Sequence, residues 1–338
     1  HVAMQKDAWV SGLFWYTDEK LALAQARRTN KPAMSLRMLG SLNDDLSCAN
    51  SRFFRTTLYA NAQIRKVLRE KFVLLWESVR PVPVITIDMG DGRKIVRTIT
   101  GNSIQYVLDA RGRLVDGIPG LYGPGAFLQA LTRAETQAER VSGLDDAAFT
   151  DSEQSYQSAQ LQRIIAAWKA DLTAVGVHAH DAPAATAGTN ESGASAELAA
   201  LAEETNDAAW TEIAARHGGD AKLDASAVAL MHTKVPAMRA MRKTVSKTAI
   251  ELPLTKMVQN LQGSVALDTV RNEYLMHTKI AEWITASAQP VTLPAFNDRV
   301  YARLFLTPKD DPWLGLAPAD VYSALDNNGL QTGAVARR

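Results

Sequence analysis

Hydrophobic and polar positions near the start of the chain follow a helix, strand, helix, strand pattern. Residues 17–29 carry apolar side chains at helical spacing, with acids in the first turn, arginines in the last and the first residue as the expected N-cap. Residues 33–39 have the pattern of a strand, and residues 72–76 are a continuous apolar run typical of a buried central strand. Between them, residues 47–71 have helical periodicity, and we expect a break near Ala60-Asn61.

A hairpin follows the second strand. Residues 84–87 and 95–99 are rich in β-branched side chains, and Gly90-Asp91-Gly92 between them is a strong turn signal. Two more strands and one helix are expected over residues 104–108, 113–118 and 124–138. The pattern up to residue 138 is therefore one of short strands and helices.

The rest of the chain is mainly helical in pattern. Residues 181–195 hold almost no large apolar side chains, and we expect a flexible linker there. The tail is expected to form a helix and then an ordered loop whose Trp313 and Leu314 pack into a core. The predicted organisation is a domain over residues 1–138, a helical extension over 139–180, the linker over 181–195, and a helical C-terminal domain over 196–338.

Composition narrows the class of protein. The chain has 338 residues, 46% of them hydrophobic, which allows a sizeable core and favours two domains. Its 37 Lys and Arg balance 36 Asp and Glu, so overall charge predicts no nucleic-acid partner. No apolar run has transmembrane length, and we expect a soluble protein without a transmembrane segment. The compartment stays unknown, because a signal peptide or anchor removed before His1 would leave no trace.

Cys48 is the one cysteine of the chain. A single thiol excludes an intramolecular disulfide and a zinc site built from several thiolates. Cys48 follows an apolar strand-like run and precedes a helical pattern, in Ser47-Cys48-Ala49-Asn50-Ser51-Arg52. Such a thiol can form mixed disulfides, be oxidised or be alkylated, but it cannot close an internal disulfide.

Several segments, in this order, resemble the thioredoxin-like superfamily. They are Ala22-Leu23-Ala24-Gln25-Ala26-Arg27-Arg28-Thr29-Asn30-Lys31-Pro32, Cys48 to Ser51, Leu68-Arg69-Glu70-Lys71-Phe72-Val73-Leu74-Leu75, Tyr106-Val107-Leu108-Asp109-Ala110-Arg111-Gly112-Arg113 and Pro119-Gly120. The resemblance covers roughly residues 1–135. It implies an α/β thioredoxin-like domain, with a central mixed sheet flanked by helices, ahead of a mostly α-helical C-terminal region. That C-terminal half carries no family motif that we recognise.

Three features depart from this family. Ser51 occupies the position of the second cysteine in its Cys-x-x-Cys motif. The segment Thr100-Gly101-Asn102-Ser103 has no proline where the family usually places a cis-proline beside the thiol. A hairpin replaces the usual helix between the strands at Phe72 and Ile104. Ordinary disulfide exchange in this family uses the second cysteine and the cis-proline, and both are missing here.

The position of Cys48 predicts a reactive thiol. At a helix start it would face unpaired N–H groups and the positive end of the helix dipole, which favour the thiolate and lower its pKa from about 8.5. Arg52 would act in the same direction, and Ser51 could donate a hydrogen bond to the thiolate. We therefore expect a monothiol centre with Cys48, Ser51 and Arg52 as catalytic residues. The alternative is a small buried residue in a thioredoxin-fold scaffold.

The substrate of such a centre would be a thiol or disulfide, in a protein or of glutathione type. The resemblance places Asn102 and Ser103 beside Cys48, where their backbone amides could pair with an extended substrate. Arg55 is a candidate for binding an anionic group such as a glutathione carboxylate, or else belongs to a solvated helix face. No cofactor is expected.

Two histidines raise a separate hypothesis. Leu230-Met231-His232-Thr233-Lys234 recurs as Leu275-Met276-His277-Thr278-Lys279, and imidazole with thioether ligands suits haem or copper. The flanking residues match poorly, so two amphipathic helices are the simpler interpretation and no metal is expected. The functional hypotheses, in order, are thiol or peroxide redox chemistry at Cys48, a non-catalytic scaffold for a protein partner, and haem or copper handling through His232 and His277.

Overall fold

The computed structural model describes residues 8–99, 101–177, 193–225, 227–229, 247–317 and 322–330. The chain divides into two compact units, one up to Thr292 and one from Leu293. This boundary lies far along the chain from the predicted linker at 181–195. Most of that predicted linker lies outside the described residues, and its last three residues begin a helix at Gly193.

A four-stranded mixed sheet forms the centre of the larger unit. The strands of the chain are β1 (Ala33–Leu39), β2 (Val73–Arg80), β3 (Val84–Asp88), β4 (Lys94–Thr98), β5 (Ser103–Leu108) and β6 (Leu114–Pro119). The central sheet has the order β2-β1-β5-β6, in which only β1 and β2 run parallel. Every residue of β1, β5 and β6 is buried, so both faces of these strands are covered.

Helices surround the sheet and make up the C-terminal region, as the predicted fold class requires. They are α1 (Ala8–Ser11), α2 (Glu19–Thr29), α3 (Ala49–Phe53), α4 (Ala62–Lys71), α5 (Pro124–Arg140), α6 (Asp146–Ala174), α7 (Gly193–Glu204), α8 (Asp207–Arg216), α9 (Lys247–Arg271), α10 (Thr278–Thr285) and α11 (Leu293–Arg303). π-Helical turns, Phe54–Leu58 and Asn272–His277, follow α3 and α9, and 3-10 turns cover His217–Gly219 and Asp326–Gly329. Among the described residues, no helix is long and apolar enough to cross a membrane.

The ends of α2 show how side chains set its length. Asp18, and not the expected Thr17, is the N-cap: its carboxylate accepts a hydrogen bond from the Leu21 N–H at 3.0 Å. A carboxylate also complements the positive end of the helix. Asn30 ends the helix in the left-handed conformation, with φ at 50°.

The predicted break near Ala60-Asn61 is confirmed. The first helical stretch ends with the π-helical turn at Leu58, and α4 begins at Ala62. The Asn61 side chain caps this new helix by accepting hydrogen bonds from the N–H groups of Gln63 and Ile64, at 3.0 and 3.1 Å.

The predicted hairpin is also confirmed. β3 pairs with β4 in antiparallel register, with Ile87 opposite Ile95. The turn contains Gly90 and Gly92, both with positive φ, which explains the two glycines. All five residues of β3 are exposed.

The core of the larger unit extends from the sheet into the helical region. Trp168 of α6 stacks on Tyr274 at 5.2 Å between ring centroids and lies 5.5 Å from Trp210 of α8. The Trp168 indole donates a hydrogen bond to the Thr205 hydroxyl at 3.0 Å. Residues on both sides of the predicted linker therefore share one hydrophobic core.

The unit from Leu293 contains α11 and the loop that follows it. Leu314 is buried as expected, whereas Trp313 is 38% exposed and does not pack into a core. The Asp311 carboxylate accepts hydrogen bonds from the N–H groups of Trp313 and Gly315, which orders the loop as predicted.

Gly123 marks a close approach between the start of α5 and the helical region. Its N–H donates to the Thr269 hydroxyl at 2.7 Å, and the Gly125 N–H donates to the Asp220 carbonyl at 2.8 Å. A Cβ at position 123 would lie 2.5 Å from the Asp220 carbonyl oxygen and 2.6 Å from the Ala221 Cα. No side chain fits there unless the backbone moves.

We expect Gly123→Ala to lower the free energy of unfolding by about 1–3 kcal/mol, because overpacking displaces backbone atoms. Gly218→Ala is the matched control, since a Cβ there meets no atom within 4 Å. The control should change the free energy by less than about 0.5 kcal/mol. Urea denaturation followed by tryptophan fluorescence measures both, and equal effects would contradict the close approach.

Candidate functional site

Cys48 lies where the sequence predicts it, immediately before α3. It occupies the N-cap position, and its Sγ accepts a hydrogen bond from the Ser51 backbone N–H at 3.4 Å. Its exposure is 0%, and it belongs to the hydrophobic core. Cys48 therefore has the position of a reactive thiol, at a helix start, but it is buried like a thiol that only packs in a core.

Burial raises the pKa of the Cys48 thiol above its usual value. The Ser51 N–H and hydroxyl and the charge of Arg52 oppose this shift, but desolvation is the largest contribution. The expected lowering of the pKa is therefore wrong, because a thiolate in the core loses more solvation than these neighbours return. At neutral pH the group is the protonated thiol, which is the less reactive form.

Ser51 and Arg52 hold the backbone around the start of α3. The Ser51 hydroxyl donates to the Cys48 carbonyl at 3.0 Å. The Arg52 guanidinium donates to the Ser47 carbonyl and to the Thr98 hydroxyl, and that hydroxyl donates to the same carbonyl at 3.2 Å. These contacts connect α3 to the end of β4.

Arg55 points into the protein and is 5% exposed. Its guanidinium donates to the carbonyls of Leu42 and Asp44, at 2.8 and 3.0 Å, and lies 3.4 Å from the Ser47 hydroxyl. The loop before α3 folds over this side chain. The structure thus presents Arg55 neither as a solvated helix face nor to an anionic substrate.

The segment with Asn102 and Ser103 does lie beside the start of α3. The Asn50 side chain donates to the Ser103 hydroxyl at 3.0 Å, and a Cβ at Gly101 would lie 3.1 Å from the Asn50 Oδ1. The Asn102 carbonyl accepts from the Leu39 N–H at 3.2 Å, and Ser103 is fully buried. The predicted neighbours are brought together, but in a closed arrangement.

The strongest buried electrostatic cluster surrounds His277. Its side chain is 1% exposed, and its ring bonds Asp116 through Nε2 at 2.8 Å and Glu273 through Nδ1 at 2.9 Å. Because carboxylates occupy both ring nitrogens, neither is available to haem iron or copper. Within the described ranges, no group of three or more His, Cys, Asp or Glu is arranged to hold a metal ion. His232 lies outside the described residues.

Further donors complete the cluster. Tyr156 donates to Asp116 at 3.0 Å, while Tyr122 and Arg163 donate to Glu273 at 2.9 and 2.6 Å. Burial disfavours the charged imidazolium, but the two carboxylates together raise the pKa of His277 to about 10. Burial also disfavours the ionised form of Asp116 and of Glu273. His277 nevertheless lowers the pKa of Asp116 and, together with Arg163, that of Glu273. The cluster is thus an imidazolium between two carboxylates.

Sequence reasoning missed the partners of His277. Two signals were present: Asp116 is the one charged residue of β6, and Glu273 precedes His277 by one helical turn. The cluster joins β6 to the π-helical turn after α9, so it connects the sheet to the helical region.

We expect His277→Asn to lower the free energy of unfolding at pH 6 by about 3–5 kcal/mol, because two buried carboxylates lose their counter-charge. The folded-state pKa of His277 lies above the unfolded value of about 6.5. Its stabilising contribution is therefore complete below pH 6.5 and is lost as pH rises through about 10. Urea unfolding at several pH values should show this alkaline decrease in the parent protein and a smaller one in the variant.

His217→Asn is the matched control, because the His217 side chain is 34% exposed and bonds Asp171 nearer the surface. This substitution should lower the free energy of unfolding by less than His277→Asn does. The decrease in that free energy above pH 8 should remain. Parallel pH curves for the parent protein and His277→Asn would disprove the charged cluster.

Comparison with known proteins places this chain in no family. No family model, no curated protein and no solved structure matches it.

Proposed function

We propose that this protein is a non-catalytic, thioredoxin-like scaffold that binds a protein partner. The burial of Cys48 carries the proposal: the sulfur has no exposure, and its pKa is raised. Ser51 stands in place of a second cysteine, and its hydroxyl bonds the backbone. In this arrangement Cys48 caps the start of α3 and fills space in the core, and it does not exchange disulfides.

The order of strands supports the thioredoxin-like part of the proposal. β1 and β2 form a parallel pair joined through α3 and α4, and β5 and β6 form an antiparallel pair that leads into α5. The resemblance in the sequence implies a mixed sheet of this kind. The hairpin β3–β4 is an addition to it.

The hairpin supplies the partner surface. Because side chains alternate along a strand, Ile85, Ile87 and Met89 share one face of the hairpin, and Ile95 lies opposite Ile87 on that face. These four side chains are 40%, 50%, 54% and 42% exposed. Adjacent exposed apolar side chains of this size are typical of a binding surface.

The occupant we infer is an extended segment of another protein. In the described part of the chain, β3 and β4 pair only with each other, and a two-stranded sheet is marginally stable alone. An added strand would use the open edge for backbone hydrogen bonds and cover the apolar face. Lys94 and Arg93 are paired with Asp88 and Asp91, and Arg97 lies opposite Ile85 at one end of the apolar face.

Alkylation of Cys48 tests the non-catalytic part. Iodoacetamide should modify the folded protein roughly two orders of magnitude more slowly than the urea-unfolded protein, because reaction requires local opening. Mass spectrometry over pH 6–9 gives the rates, and Cys48→Ala is the unlabelled control. Fast modification of the folded protein with a thiolate midpoint below about 8.5 would favour monothiol redox chemistry instead.

A selection of displayed extended peptides tests the partner surface. Peptides recovered on the parent protein should bind Ile87→Lys at least about tenfold more weakly in fluorescence polarisation, because a charge enters the apolar face. Val96→Lys is the matched control, since Val96 lies on the other face of the same hairpin. Equal binding by the two variants, or a homodimer that only Ile87→Lys dissociates, would overturn the proposal of a separate protein partner.

A further inference from the structure

A groove of about 630 Å³ lies between α5 and α6, and neither Cys48 nor the hairpin takes part in it. α5 forms one wall with Leu128, Arg133, Gln137 and Arg140, and Tyr156 contributes from α6. The function proposed above makes no use of this groove.

Two arginines stand along one wall of the groove. Arg133 and Arg140 are seven residues apart on α5, which places them on the same side of the helix. At 1.5 Å per residue, their Cα atoms are separated by about 10 Å along the helix axis. Two cationic groups at this spacing suit a ligand with an acidic group at each end.

Both arginines have binding capacity left. Among the described residues, the Arg140 guanidinium has no hydrogen bond or ion pair, and the residue is exposed. The nearest acid to Arg133 is Glu273, at 3.7 Å, and that carboxylate already bonds Arg163 at 2.6 Å. Arg133 therefore competes poorly for Glu273, and its planar guanidinium can still bind a carboxylate in bidentate fashion.

The middle of the groove offers a different chemistry. The Tyr156 hydroxyl is used by Asp116, so its ring and Leu128 provide apolar contacts. Gln137 is 1% exposed, its Nε2 bonds Ser152 and Glu153, and its Oε1 has no hydrogen-bond partner. Because a dianion has no donor for this buried acceptor, Gln137 forms part of the groove wall and does not hold the ligand.

We propose that this groove binds an elongated organic dianion, with one acidic group on Arg133, the other on Arg140, and an apolar stem over Leu128 and Tyr156. The ligand class is a dicarboxylate, or a molecule with equivalent acidic groups, that spans about 10 Å. A ligand with only one acidic group would use one arginine and lose the second charge-assisted pair.

Isothermal titration calorimetry with suberate at low ionic strength tests the proposal, because salt screens exposed charges. Suberamate, its monoamide, has the same length with one charge removed. Suberate should bind at least about fivefold more tightly than suberamate, which corresponds to one partly exposed charged pair. Equal binding of the two compounds, or no binding of suberate at millimolar concentration, would overturn the proposal.

Arg140→Gln assigns the binding to the groove. It should weaken suberate about tenfold and remove the preference over suberamate, while Arg140→Lys should retain part of both. Lys66→Gln, an exposed charge removed from α4, is the matched control and should leave both affinities unchanged. Because Arg140 is exposed, thermal unfolding should be the same for all variants. If Lys66→Gln weakens suberate as much as Arg140→Gln, the binding is a general effect of charge and the groove is not the site.

Discussion

The bonding of His277 to two carboxylates is the interaction that joins the sheet to the helical region. Asp116 belongs to β6, whereas His277 and Glu273 lie 150 or more residues later, in the π-helical turn after α9. None of these charges could remain ionised in the core alone, since burial of an unpaired charge is strongly unfavourable. Together they require β6 and the π-helical turn to stay adjacent. The N–H of Gly123, which follows β6, donates to the hydroxyl of Thr269 in α9 and adds a second contact close to this one.

The same balance of burial and compensation explains Cys48. His277 is as buried as Cys48, but two full negative charges and two hydrogen bonds act on it, and its pKa rises to about 10. Cys48 has the N–H groups of Ser51 and Asn50, the Ser51 hydroxyl and the charge of Arg52, which is itself bonded to Ser47 and Thr98. At His277 the neighbouring charges and hydrogen bonds stabilise the charged form by more than burial destabilises it. At Cys48 they stabilise the thiolate by less. A residue at a helix start is therefore not reactive by position alone.

The strands, the hairpin and the break before α4 could be predicted from the sequence because their signals are local. Gly90-Asp91-Gly92 sets a turn, and Asn61 caps a helix, whatever the rest of the chain does. The closed surroundings of Cys48 and Arg55 could not be predicted, because they depend on how the loop at 41–47 folds over α3. The partners of His277 were equally out of reach, since Asp116 is 161 residues away along the chain. Local rules place a side chain on an element, and only tertiary packing decides what it faces.

The π-helical turn at Asn272–His277 has a consequence for the spacing of the helices around it. A π turn holds one residue more than an α turn, so it acts as a phase shift between α9 and α10. Deleting a single residue from it would restore the ordinary helical repeat and rotate the side chains of α10 by about 100° about the helix axis. Ile280, which packs against β6 near Gly117, would then face another direction. The number of residues in the π-helical turn, more than the identity of any one side chain in it, therefore sets which side of α10 faces β6.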